Sequence, residues 1–97
     1  MSSLRFDWDP KKARANLKDH GVTFEEAQST FYDEWAILYD DPDHSKDEDR
    51  FLLLGMSVRL RTLIVSHCYR ETESVVRLIS ARKARSEEEK EYWKVRK

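Results

Sequence analysis

The spacing of apolar and polar residues changes twice along the chain, dividing it into a helical part, a strand part and a closing helix. Asp9 before Pro10 predicts a helix start: a carboxylate at the cap accepts from orphan amides, and proline at the first helical position loses no hydrogen bond. Ala13, Leu17 and His20 then recur at helical spacing, which puts them on one face, and Gly21 stands where a left-handed cap would end the helix. Thr23 and Glu26 have capping-box spacing, with Val22 and Ala27 placed as a hydrophobic staple. A second helix is therefore predicted from Phe24, with Phe24, Ala27 and Phe31 on its buried face. Helices this short need a sheet to pack against.

Strand-like composition follows. Residues 35–39 are aromatic and β-branched enough for a first strand, closed by the polar segment 40–49 with Pro42 inside it. Residues 51–57, 60–69 and 74–82 read as further strands, with Glu71-Thr72-Glu73 turning between the last two. Short links between consecutive strands favour an antiparallel meander. From Ser86, read as a cap, the run of Glu87, Glu88 and Glu89 before Tyr92 and Trp93 predicts a final helix with its acids in the first turn, where the helix dipole favours them. The expected class is α+β: two N-terminal helices, a four-stranded antiparallel meander and a C-terminal helix. At 97 residues the chain should form a single domain, burying about 65% of its extended surface.

Composition narrows the setting. Three Trp, four Tyr and four Phe supply large side chains for a small core. The single cysteine, Cys68, excludes an internal disulfide and a cysteine-based zinc cluster, suits a reducing compartment, and is expected to pack in the interior. Arg5, Asp7 and Asp9 interrupt the N-terminal region before an apolar run develops, and no stretch approaches a membrane span. A soluble cytoplasmic protein is the expectation.

Charge changes the picture more. Residues 1–49 hold six Lys or Arg against thirteen Asp or Glu, whereas residues 50–85 hold eight against two. The cations of the second stretch interleave with Leu, Ile and Val at strand spacing, so folding should gather them on a sheet and present them to a polyanion. Arg50, Arg70, Arg77 and Arg82 are the candidates, and Arg77 stands out because Val76, Leu78 and Ile79 flank it in an apolar strand. The guanidinium fork suits phosphate. If the last two strands pair across their turn without a bulge, Arg70 faces Val75, Cys68 faces Arg77 and His67 faces Leu78, which puts His67 on the other face from Arg70 and Arg77. A one-residue bulge would reverse everything beyond it.

Among the histidines, His20 on the first helix reads as structural, His44 as a loop residue, and His67, beside Arg70 in sequence, as the candidate acid or base for phosphodiester cleavage. Six carboxylates fall within residues 40–49, but Lys46 and Leu52 occupy the glycine and final acidic positions of an EF-hand, so a solvated loop is expected and no metal site. Gly21 and Gly55 are the only glycines, too few for a phosphate-binding glycine loop.

Several strings together carry a family resemblance. Phe6-Asp7-Trp8-Asp9-Pro10, Asn16, Lys18-Asp19-His20-Gly21-Val22-Thr23-Phe24-Glu25-Glu26-Ala27, His44-Ser45 with Glu48 and Arg50, then residues 77–84 and Tyr92, resemble the BrnT family of toxins over nearly the whole chain. The resemblance implies a compact fold similar to RelE-type ribonuclease toxins and an RNA-cleaving activity that blocks translation. It also implies neutralisation by a BrnA-type antitoxin, whose ribbon-helix-helix domain binds operator DNA so that the complex represses its own operon. The positions matching the family's recurrent polar residues are His44, Glu48, Arg50, His67, Arg70, Arg77, Arg82 and Lys83. A departure comes at Arg85-Ser86-Glu87, where the family often has threonine followed by basic residues.

The expected function is that of a metal-independent endoribonuclease in which the ribose 2′-hydroxyl attacks the adjacent phosphate. Arg77 and Arg82, then Arg50 and Arg70, are expected to stabilise the charge that builds on the phosphoryl oxygens. His67 is the expected proton carrier, with Glu48 or His44 as alternatives. Lys83, Arg85 and His44 are expected to bind RNA, with no cofactor required. Two rival readings are a non-catalytic module that holds RNA or an acidic partner, and an inactive homologue kept for antitoxin pairing and operon control.

Overall fold

A computed structural model describes residues 4–41, 49–70 and 74–96. The first strand, β1 (Arg5–Asp7), precedes α1 (Pro10–His20), α2 (Phe24–Ser29) and a single 3₁₀ turn, Thr30–Tyr32. Strands β2 (Ile37–Asp40), β3 (Phe51–Met56), β4 (Thr62–Arg70) and β5 (Val75–Lys83) follow, and α3 (Ser86–Arg96) closes the chain. The sheet order is β1-β5-β4-β3-β2. Strands β2 to β5 form the expected antiparallel meander, while β1 adds a fifth strand that lies parallel to β5, pairing Arg5 with Val75 and Asp7 with Arg77. No described helix is long and apolar enough to cross a membrane.

The local signals at the helix ends behave as their chemistry requires. Asp9 accepts from the Lys11 amide at 2.9 Å, and Gly21, at φ 69°, donates its N–H back to the Leu17 carbonyl. Thr23 Oγ1 accepts from the Glu26 amide at 3.0 Å, but the Glu26 carboxylate does not turn back to complete the box. It is buried and accepts instead from Ser57 at 2.6 Å and from Arg61, which ties α2 to the β3–β4 hairpin. At α3 the cap is Arg85, whose carbonyl accepts the first helical bond from Glu89; Ser86 is already the first helical residue.

The apolar stripe expected on α1 meets the core only at Ala13. Leu17 is 50% exposed and His20 is exposed, whereas Asn16 is buried. Past the end of β1, the edge of β5 has no neighbouring strand among the described residues, and Asn16 takes that place: it accepts from the Ala81 amide and donates to the Ala81 carbonyl, both at 2.9 Å. It also donates to the Val22 carbonyl at 2.9 Å. An amide side chain has one acceptor and two donor hydrogens, so it can close this set.

Helices cover both faces of the sheet. On one, Val22, Phe24 and Ala27 pack against Leu53, Leu63, Val65, Val76, Leu78 and Ala81. On the other, Tyr92 of α3 packs against Leu54 and Ile64, with Leu52, Met56 and Ala84 at the margin. Tyr92 is anchored by donating to Asp33 at 2.6 Å, and Asp33 also accepts from the Met56 amide at 2.8 Å. The carboxyl of Asp33 is held below the usual range; burial opposes this, and the bonds from Tyr92 and the Met56 and Trp35 amides outweigh it.

Candidate functional site

The register of β4 and β5 decides which cations share a face. Arg70 pairs with Val75, Cys68 with Arg77 and His67 with Leu78, as read without a bulge. The ladder then slips: Ser66 pairs with Ser80, leaving Ile79 as an extra residue in β5, and Ile64 pairs with Arg82. In an uninterrupted strand Arg77 and Arg82, five positions apart, would point to opposite faces. The bulge at Ile79 cancels that parity, because directly paired residues share a face and Cys68, Ser66 and Ile64, at every second position of β4, all lie on one face. Arg77 and Arg82 therefore both lie on the α3 side of the sheet. Lys83, paired with Leu63, alternates to the other side.

Part of the α3 side not filled by Tyr92 is a pocket of about 240 Å³ lined by His20, Asp41, Arg50, Leu52, Ile64, Ser66, Ile79, Ser80 and Arg82. The C-terminus of α1 brings His20 to it, which follows from Asn16 fixing that helix along the β5 edge. Leu52 and Ile64 also belong to a neighbouring groove of about 390 Å³ whose other walls include Asp40, Glu87, Glu88 and Glu91. This side of the sheet thus has one end where Arg50 and Arg82 stand with Asp41 and another lined by carboxylates, which repels a polyanion.

The arginines are braced by carboxylates. Arg77 donates from Nη1 to Asp7 at 2.9 Å, a bond that exists because β1 lies beside β5. Arg82 donates from Nη1 and Nη2 to the two oxygens of Glu88, each at 2.9 Å. Glu88 also accepts from the Arg85 amide at 2.7 Å, and the bonds from Arg82 above all pull its carboxyl down to about 2. Arg70 ends β4, exposed.

His67 is placed elsewhere. It is fully buried on the α1–α2 side of the sheet, its ring packed on Phe31 at 4.8 Å and Tyr69 at 5.2 Å. Its Nδ1 lies 3.0 Å from the Val65 carbonyl, which can only accept, so Nδ1 carries the proton and Nε2 accepts from the Tyr69 hydroxyl at 3.2 Å. Burial pushes its pKa down. The structure brings together Arg50 and Arg82 at the pocket, with Arg77 on the same face, and separates His67 and Lys83 from them. Arg85 is exposed at the α3 cap. His44 and Glu48, with the centre of the acidic segment and the turn at residues 71–73, lie outside the described residues. Among the described residues no three His, Cys, Asp or Glu side chains form a metal-binding group.

Sequence reasoning did not single out His20, Asp41, Ser66 or Ser80 as site residues: the β4–β5 ladder pairs Ser66 with Ser80, the Asp41 amide bonds the Arg50 carbonyl, and the crossing of α1 over the β5 edge brings His20 to them. The model of the family described as "Ribonuclease toxin, BrnT, of type II toxin-antitoxin system" matches residues 8–88. Among solved structures, the chain is similar to the Brucella abortus ribonuclease toxin BrnT, with a TM-score of 0.65 and 20% identity over 86% of this chain and 99% of that one. No curated protein matches. The family match spans both the arginine pocket and the strands that build it, and the chain belongs to the BrnT ribonuclease toxins of type II toxin–antitoxin systems.

Proposed function

We propose that this protein is a metal-independent endoribonuclease acting at the Arg50–Arg82 pocket in the cytoplasm, where a BrnA-type antitoxin neutralises it and joins it in operon repression. The observation that carries this reading is the bulge at Ile79, which turns Arg82 onto the face of Arg77. Bulges recur beside active sites because they re-aim a side chain. Two arginines there and a third in the pocket wall supply fixed positive charge for the phosphoryl oxygens as negative charge builds on them.

In this mechanism the RNA 2′-hydroxyl attacks the adjacent phosphorus and the bond to the 5′-oxygen breaks, leaving a 2′,3′-cyclic phosphate and a 5′-hydroxyl end. His20, whose imidazole lines the pocket, takes the 2′-hydroxyl proton, and the departing 5′-oxygen takes its proton from solvent. His67 is given a structural part, filling the aromatic cluster on the far face. The test is to incubate the purified protein with RNA in a metal chelator and map the ends. Cyclic-phosphate ends are expected. A requirement for magnesium, or no cleavage by folded protein, overturns the mechanism.

A further inference from the structure

The Arg82–Glu88 pair leaves one edge of the guanidinium open. Arginine carries five N–H groups, and its two forks are the end pair, Nη1 with Nη2, and the side pair, Nε with Nη2. Glu88 takes the end pair, and the Lys83 carbonyl accepts a further Nη1 bond at 3.2 Å. Among the described residues nothing bonds to Nε or to the second Nη2 hydrogen, so the side fork remains for a phosphate. Glu88 is itself immobilised: it sits in the first turn of α3 and accepts from the Arg85 amide at that helix's cap. A carboxylate fixed at both of its own contacts fixes the plane of the guanidinium it holds.

From this geometry we infer that Glu88 is a positioning residue for RNA cleavage, orienting the open side fork of Arg82 toward the scissile phosphate. The inference rests on the nuclease reading above and adds to it a residue that touches no substrate. It gives opposite signs for binding and chemistry. Removing the Glu88 charge takes a negative group away from a polyanion's site, so binding should hold or tighten. The freed guanidinium samples other orientations, so the chemical step should slow, because small losses of alignment at a reacting centre carry large rate penalties.

The experiment compares wild type, Glu88→Gln, Arg82→Ala and the double variant, using an RNA that wild type cleaves in chelator and its 2′-O-methyl analogue for binding. Glutamine keeps an acceptor for the Arg85 amide, which preserves the helix cap. The expected result for Glu88→Gln is analogue affinity unchanged or raised up to about threefold, and a single-turnover rate lowered about 10- to 100-fold. The double variant should be no slower than Arg82→Ala. A rate that is unchanged or raised makes Glu88 a bystander or a block on Arg82 and overturns the inference. So does a parallel fall in rate, affinity and melting temperature, the mark of a purely structural role. Absence of cleavage by folded wild type sinks the nuclease reading and this one together; cleavage by wild type with an indifferent Glu88→Gln sinks this one alone.

Discussion

Replacing Asn16 with alanine strips the β5 edge of the side chain that substitutes for a neighbouring strand. Three hydrogen bonds of 2.9 Å are lost: two to the Ala81 backbone and one to the Val22 carbonyl. At about 1 kcal/mol each the bonds alone sum to about 3 kcal/mol, and the Ala81 amide and carbonyl, in a residue 1% exposed, are left without that partner, which raises the cost to about 3–5 kcal/mol. For a domain of this size that should lower the melting temperature by roughly 12 °C or more. Leu17→Ala, on the same helix but half exposed, should cost only about 0.5 kcal/mol. Urea titration of both variants measures the contrast. A loss below about 1 kcal/mol for Asn16→Ala, or an equal loss for Leu17→Ala, would refute the claim that a polar residue anchors α1.

Burial lowers the pKa of His67 from 6.5, so the unfolded chain binds the extra proton first and stability should fall as the pH drops below about 6.5 toward the folded-state value; His67→Phe should flatten that part of a stability–pH curve. Arg61→Met leaves the buried Glu26 carboxylate without its guanidinium, at a cost of about 3 kcal/mol in chemical denaturation. Because bonding to Arg61 depresses the Glu26 pKa below 4.5, the pair's contribution is present above 4.5 and lost in acid, and the variant should lose that acid-side slope. Leu60, 79% exposed, has φ 61° at the tip of the β3–β4 hairpin. Leu60→Gly should stabilise by about 0.5 kcal/mol as relief of left-handed strain exceeds the added freedom of the unfolded chain, and thermal melts decide it.

The legible parts of the sequence were those whose causes are local. Asp9, Pro10, Gly21 and Thr23 act on amides and carbonyls within a turn of themselves, so both helix starts could be read from spacing. The pairing of β4 with β5 near their turn was readable because that connection is short. Strand β1 was not: three residues with Phe6 as the only apolar one carry no period, and their partners lie about seventy positions later. Ile79 looks like an ordinary strand residue, yet as the bulge it sets the facing of Arg82. The same pairing that puts Arg77 on one side puts His67 on the other. The place of His20 depends on Asn16 reaching a strand edge sixty-five residues away, which periodicity does not encode.

The sharing of one face by Arg77 and Arg82 is tested most directly by single-turnover RNA cleavage in chelator by Arg77→Ala, Arg82→Ala and Lys83→Ala, each checked for wild-type melting. Losses of about a hundredfold or more are expected for each arginine, with Lys83→Ala, on the opposite side of the strand, remaining within a fewfold of wild type. Arginine variants that cleave at the wild-type rate, or a Lys83 variant as impaired as Arg82→Ala, would contradict it.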